Sequence, residues 1–91
     1  MRELQPTTQY RKDLKRYKYK PKKLEALRTV LNFLKDGQPI PPEYSPHKLR
    51  GQYKGCLECH VDDDFLLVWL DEVNNVIELV RLGTHSELFG K

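Results

Sequence analysis

No stretch of the chain is apolar for longer than Phe65–Leu70, far short of the roughly 20 residues that cross a bilayer as a helix. The opening Met1-Arg2-Glu3-Leu4-Gln5-Pro6 lacks the apolar segment of a secretory signal. Both absences lead to the expectation of a cytoplasmic protein. Cysteine is scarce, with Cys56 and Cys59 the only two. Their C-x-x-C spacing falls in a run that reads as strand, where residues three apart point to opposite faces. A bridge or a shared metal is then out of reach, and both are expected as buried or half-buried thiols in a reducing compartment. No internal repeat or low-complexity segment occurs. At 91 residues there is room for one core only, so residues 1–91 are expected to form a single domain. The 38% hydrophobic and 32% charged content excludes a disordered chain.

What is there is unevenly distributed. Residues 1–35 hold eleven Lys/Arg and three Asp/Glu, a net +8, whereas residues 36–91 hold five and ten, a net −5. A basic N-terminal region on a nearly neutral chain suits an anionic partner such as nucleic acid. A solvated helix surface accounts for the same charges.

Leu4–Thr8 can start the fold as an edge strand, the only strand position that tolerates Pro6. A helix should follow, capped by Thr7 or Thr8, with Tyr10, Leu14 and Tyr17 on its inner face. Arg11, Lys12, Lys15, Arg16 and Lys18 cover its outer face. Pro21 fits the first turn of a second helix, whose apolar stripe is Leu24, Leu27, Val30, Leu31 and Leu34. Asp36-Gly37 ends it. Four prolines make 37–48 an irregular connection. Three strands are then expected, at Tyr53–His60, Phe65–Asp71 and Val76–Leu82. The breaks at 61–64 and 72–75 are short enough to require antiparallel pairing. Phe65–Leu70 is apolar on both faces, as in a central strand covered on both sides. Gly83 breaks the last strand, and 84–89 forms a short turn or helix. The fold class is α+β: a twisted, mainly antiparallel sheet of about four strands with a helical hairpin on one face. The other face is left for something else.

Three histidines occur, His47, His60 and His85. Hairpin pairing brings His60, Asp64, Arg81 and His85 to one end of the sheet, with His47 within reach from the connection. Groups that titrate near neutrality beside a fixed cation suit general acid–base attack on a phosphodiester. Three histidines and Asp64 also make a possible zinc set, but without the close spacing of H-x-x-x-H.

The run His47-Lys48-Leu49-Arg50-Gly51, then Tyr53-Lys54-Gly55 and His60-Val61, resembles the YafQ branch of the RelE-type bacterial toxins. So does the ending Arg81-Leu82-Gly83-Thr84-His85-Ser86-Glu87-Leu88-Phe89-Gly90, and the order of elements agrees over nearly the whole chain. The resemblance implies a toxin of a type II toxin–antitoxin system, a ribosome-dependent endoribonuclease acting on mRNA. It implies an antitoxin as inhibitory partner, contact with mRNA and ribosomal RNA, operator DNA reached only through the antitoxin complex, and no cofactor or metal. His47, His60, Asp64 and His85 fall at the catalytic positions of such toxins. Arg81 falls at a phosphate-contacting arginine, Phe89 at an RNA-orienting aromatic, and Arg50 and Lys54 are further RNA contacts. Lys12, Lys15, Arg16, Lys22 and Lys23 would grip ribosomal RNA, away from the catalytic end. His85 is assigned as general acid, Asp64 or His60 as base, and His47 as positioning the phosphate. Asp62-Asp63 stands where the family often has an acid and a proline, and Phe65 where it has tryptophan. ParE-like toxins, which share the fold and bind a protein instead, and non-catalytic nucleic-acid-binding modules are the alternatives.

Overall fold

The computed structural model describes residues 1–72 and 74–90. In chain order come β1 (Glu3–Pro6), α1 (Thr8–Lys15), α2 (Pro21–Lys35), β2 (His47–Lys48), β3 (Leu57–Asp62), β4 (Phe65–Asp71), β5 (Val76–Gly83) and α3 (His85–Phe89). Single 3-10 turns lie at Pro42–Tyr44 and Gly51–Tyr53. The strands make one sheet ordered β1-β5-β4-β3-β2. β1 runs parallel to β5 and every other pair is antiparallel. The expected α+β class holds, with five strands in place of about four. The additional strand is β2, two residues at the end of the proline-rich connection that pair with Glu58 and Leu57.

The choice of cap for α1 falls on Thr7, whose hydroxyl accepts the Tyr10 N–H at 3.1 Å. Pro21 opens α2 as expected. On the helical side of the sheet, Tyr10, Tyr17, Leu27, Val30 and Leu34 pack on Cys59, Val61, Phe65, Leu67, Trp69, Ile77, Leu79 and Leu82. Each such leucine or phenylalanine, fully buried, contributes about 1.5–3 kcal/mol. Tyr17 meets Phe65 with ring centres 4.5 Å apart.

The opposite face, expected to be open, is partly closed by the chain itself. Leu66, Val68, Cys56 and Leu88 form a second small core there, flanked by Leu49, Tyr53, Val80 and Phe89. Cys56 and Cys59 thus lie on opposite sides of the sheet, both as free thiols.

Two strand boundaries differ from expectation. β3 starts at Leu57 and not at Tyr53, because Tyr53 sits in a 3-10 turn and Gly55 has φ +95°, outside the extended region. β3 also continues past His60, through an irregularity between His60 and Asp62. A second irregularity in β5 sets Val68 opposite Arg81 but Trp69 opposite Leu79, leaving Val80 unpaired. The expected turn at 72–75 includes Val73, which lies outside the described residues.

Beyond Leu79, β5 has no strand neighbour on its β1 side, since β1 ends at Pro6 opposite Leu79. α1 fills that edge. Thr7 donates its backbone N–H to the Leu79 carbonyl at 3.0 Å, and the Asp13 carboxylate accepts the Leu82 N–H at 2.9 Å.

Candidate active site

β2, β3 and α3 bring the three histidines into one row. The His47 and His60 ring centres are 6.3 Å apart, and those of His60 and His85 are 5.8 Å apart. Phe89 continues the row at 6.1 Å from His85, and Tyr53 stands edge-on to Phe89 at 5.7 Å. Glu58 and His60 share a strand face two residues apart, and antiparallel pairing places His47 opposite Glu58.

Asp64, at the turn, receives two hydrogen bonds from His85 through Oδ1: the backbone N–H at 2.9 Å and ring Nδ1 at 2.8 Å. Those bonds, the backbone one first, hold the Asp64 carboxyl below the usual carboxylate range. Because a carboxylate only accepts, the His85 proton rests on Nδ1 and leaves Nε2 facing away from Asp64. His85 is about half exposed, with 54% of its side chain accessible, so substrate can reach it.

His47 is placed differently. Its Nδ1 lies 2.7 Å from the Ser45 carbonyl, and its Nε2 lies 3.0 Å from Oε1 of Glu58. Each ring nitrogen of His47 therefore faces an oxygen of its own surroundings. Glu58 is 2% exposed and its Oε2 has no hydrogen-bond partner.

Arg81 does not join the histidines directly. Its Nε and Nη2 donate to Asp13 at 2.8 and 3.3 Å, and its Nη1 donates to the Tyr53 hydroxyl at 2.8 Å. Three of the five guanidinium N–H groups are thereby engaged. Tyr53 in turn donates to the Leu88 carbonyl at 3.2 Å. Arg50 and Lys54 are exposed and line a groove of about 650 Å³ with Lys48, Leu49 and Gly55.

The basic residues expected to dock away from this end lie only partly so. Lys12, Lys15 and Lys22 are exposed. Arg16 reaches Glu87 of α3 at 3.5 Å, and Lys23 reaches Asp62 at 3.9 Å. Both carboxylates flank the histidine row because the first turn of α3 and the β3–β4 turn meet at this end of the sheet. The two cations are therefore tied to the end of the sheet that carries the histidines, contrary to the expected separation.

Residues 2–90 match the family model for the bacterial toxin of type II toxin–antitoxin systems, YafQ. The chain belongs to the YafQ toxin family. Its relatives include the mRNA interferase toxin YafQ of Escherichia coli K12, 31% identical over 90 residues, 98% of this chain and 97% of that protein. A metal-bound toxin from Helicobacter pylori superposes with a TM-score of 0.87 at 39% identity, covering 98% of this chain and all of the other. YafQ in the E. coli DinJ–YafQ toxin–antitoxin complex superposes at 0.83 with 31% identity, over 98% of each chain.

A metal does not fit this YafQ chain's site as arranged. Among the described residues no three His, Cys, Asp or Glu side chains converge on one point. The nitrogens of His47 and Nδ1 of His85 already face acceptors.

Three residues of this site escaped the sequence reading: Asp13, Glu58 and Glu87. Asp13 follows Tyr10 by three residues and precedes Tyr17 by four, which is the inner face of α1. Glu58 precedes His60 by two, which is the same strand face. Thr84 and Glu87 form a T-x-x-E capping box. Each signal was present in the spacing.

Proposed function

We propose that this YafQ-family chain is an mRNA interferase that cleaves RNA with His60 accepting the 2′-hydroxyl proton and His85 donating one to the leaving 5′-oxygen, without a metal. The reading is supported above all by one observation: His85 is held by Asp64 through Nδ1, with the His60 ring 5.8 Å away. Two imidazoles so spaced can flank one phosphodiester. His60 removes the proton of the 2′-hydroxyl, whose oxygen attacks the adjacent phosphorus in line. The bond to the 5′-oxygen breaks, and that oxygen leaves with the Nε2 proton of the His85 imidazolium, whose second proton stays on Nδ1 toward Asp64. The products are a 2′,3′-cyclic phosphate and a free 5′-hydroxyl. Asp64 is the weaker candidate for base, because its carboxylate is already committed to His85 and its pKa is lowered. It orients the acid instead. His47 has no ring nitrogen free for proton exchange, and to place the phosphate, as its family position implies, Nε2 must exchange Glu58 for a phosphate oxygen. Arg81 offers its remaining N–H groups to the charge that develops on the phosphate oxygens. Phe89, Arg50 and Lys54 bind the flanking RNA.

The E. coli relative is named an mRNA interferase, and YafQ there is seen in complex with DinJ. By the same reading this chain acts on ribosome-bound message in the cytoplasm and is inhibited by an antitoxin. The test is cleavage of a defined mRNA with and without ribosomes, analysed for cyclic phosphate ends. His85→Ala should retain the fold and antitoxin binding and lose about 10²- to 10⁴-fold in rate. Undiminished cleavage by the folded variant refutes the assignment. Growth inhibition with no RNA cleavage under either condition would favour a protein-binding toxin.

A further inference from the structure

α3 is only five residues long, too short to hold its own shape in water. Yet it carries His85 at its start and Phe89 at its end. Its place is therefore fixed from outside: by Asp64, by the packing of Leu88, and by two tethers that begin at Tyr17 and Asp13 near the other end of the chain. Tyr17 donates its hydroxyl to Glu87 Oε1 at 2.5 Å. The second tether is longer and runs from Asp13 through Arg81 and Tyr53 to the Leu88 carbonyl.

Asp13 is the root of that second tether. It has no solvent exposure and accepts four hydrogen bonds: from Arg81 Nε and Nη2, from the Leu82 N–H, and from Gln9 at 3.0 Å. A buried ion pair is weak evidence for stability, since apolar residues of equal volume often do as well. What it gives here is direction. Asp13 holds the guanidinium through Nε and Nη2, and Nη1 is left to donate to the Tyr53 hydroxyl. That hydroxyl spends its one proton on Leu88, in the same helix as His85. The Tyr53 ring also meets Phe89 edge-on.

We propose that Asp13 is a positioning residue for RNA cleavage, acting through Arg81 and Tyr53 to set the place of α3 and hence of the His85 ring. This rests on the nuclease reading above. It adds a residue of the first helix, more than 60 positions from His85 in the chain, to the machinery of the site.

The test uses full-length Asp13→Asn and Tyr53→Phe proteins beside wild type. Single-turnover cleavage at saturating toxin should fall by about ten-fold or more, since small misplacements of a reacting group are costly. Ribosome affinity should stay near the wild-type value. The double variant should be no slower than the slower single one, as expected for two links of one tether. The ring ¹⁵N resonances of His85 should move in both variants. Tyr53→Phe removes only a hydroxyl, so it keeps the test valid if Asp13→Asn does not fold. A folded variant with His85 resonances at their wild-type positions overturns the proposal, whatever its rate. So does a loss confined to ribosome affinity. If wild type itself cuts no RNA, the nuclease reading fails, and the resonances still decide whether Asp13 positions α3.

Discussion

Asp13 places a charge where no solvent reaches, and the consequence is a stability that depends on pH. Burial alone would raise its carboxyl, but hydrogen bonds from Arg81, the Leu82 N–H and Gln9 outweigh it and hold it below the ordinary value. A carboxyl with a lower pKa folded than unfolded contributes stability above its unfolded value, about 4, and loses it as pH falls through the folded value. Asp13→Asn should therefore cost about 3 kcal/mol at pH 7, the low end for a broken buried pair, because Arg81 keeps 16% of its side chain in solvent. The gap to wild type should narrow below about pH 4. Urea unfolding across pH 3–8 measures it, and a gap that widens in acid contradicts the pairing. Single residues were also where the sequence was hardest to interpret. The histidines and Asp64 stand out by type. Asp13 does not, amid Arg11, Lys12, Lys15 and Arg16, and only its register with Tyr10 and Tyr17 marks it as inward. Arg81 was expected to be free for phosphate, and nothing in a linear pattern reveals that its partner lies 68 residues away.

At the level of elements, β4 and α2 were legible almost residue for residue, because a continuous apolar run and a leucine stripe leave few alternatives. The segment 49–56 was not. Its tyrosine and apolar residues suggest strand, but Gly55 turns the chain, and Leu49, Tyr53 and Cys56 fold over the second face instead. α3 was left open as turn or helix, and its existence depends on a glycine that precedes it. Gly83 has φ +153°, and a Cβ there would lie 2.5 Å from Glu87 Oε1 and 3.3 Å from Glu87 Cβ. That oxygen already accepts from the Tyr17 hydroxyl and the Thr84 N–H, so it cannot move without breaking the cap. Gly83→Ala should leave the sheet intact by circular dichroism while costing about 1–3 kcal/mol in strain. Hydrogen exchange at the Leu88 and Gly90 amides, which bond to Thr84 and Ser86, should accelerate relative to β4. Unchanged exchange in α3 would show that the helix does not depend on this close approach.

At the level of the whole molecule, charge is divided between the helices and the sheet, as the sequence implied, but the division is not a separation. Arg16 and Lys23 span it, tied to Glu87 and Asp62 beside the histidine row. Lys12, Lys15 and Lys22 have no ion-pair partner among the described residues, and their exposed ammonium groups are available to phosphate. Reversing these three to glutamate should weaken ribosome binding and flatten its salt dependence, by roughly 0.7 to 0.9 in log–log slope for each phosphate no longer neutralised. Cleavage at saturation should be unaffected, because among the described residues no ion pair ties any of the three to α3 or the β3–β4 turn. Arg16→Glu and Lys23→Glu should behave differently. Each places a like charge against a carboxylate at the end proposed to be catalytic, so the saturating rate should fall along with affinity. Ribosome binding over a salt series, measured beside single-turnover cleavage, separates the two groups. If the triple reversal leaves binding intact while the chemical step is abolished, the helical face is not the docking surface, and its lysines act on the site itself.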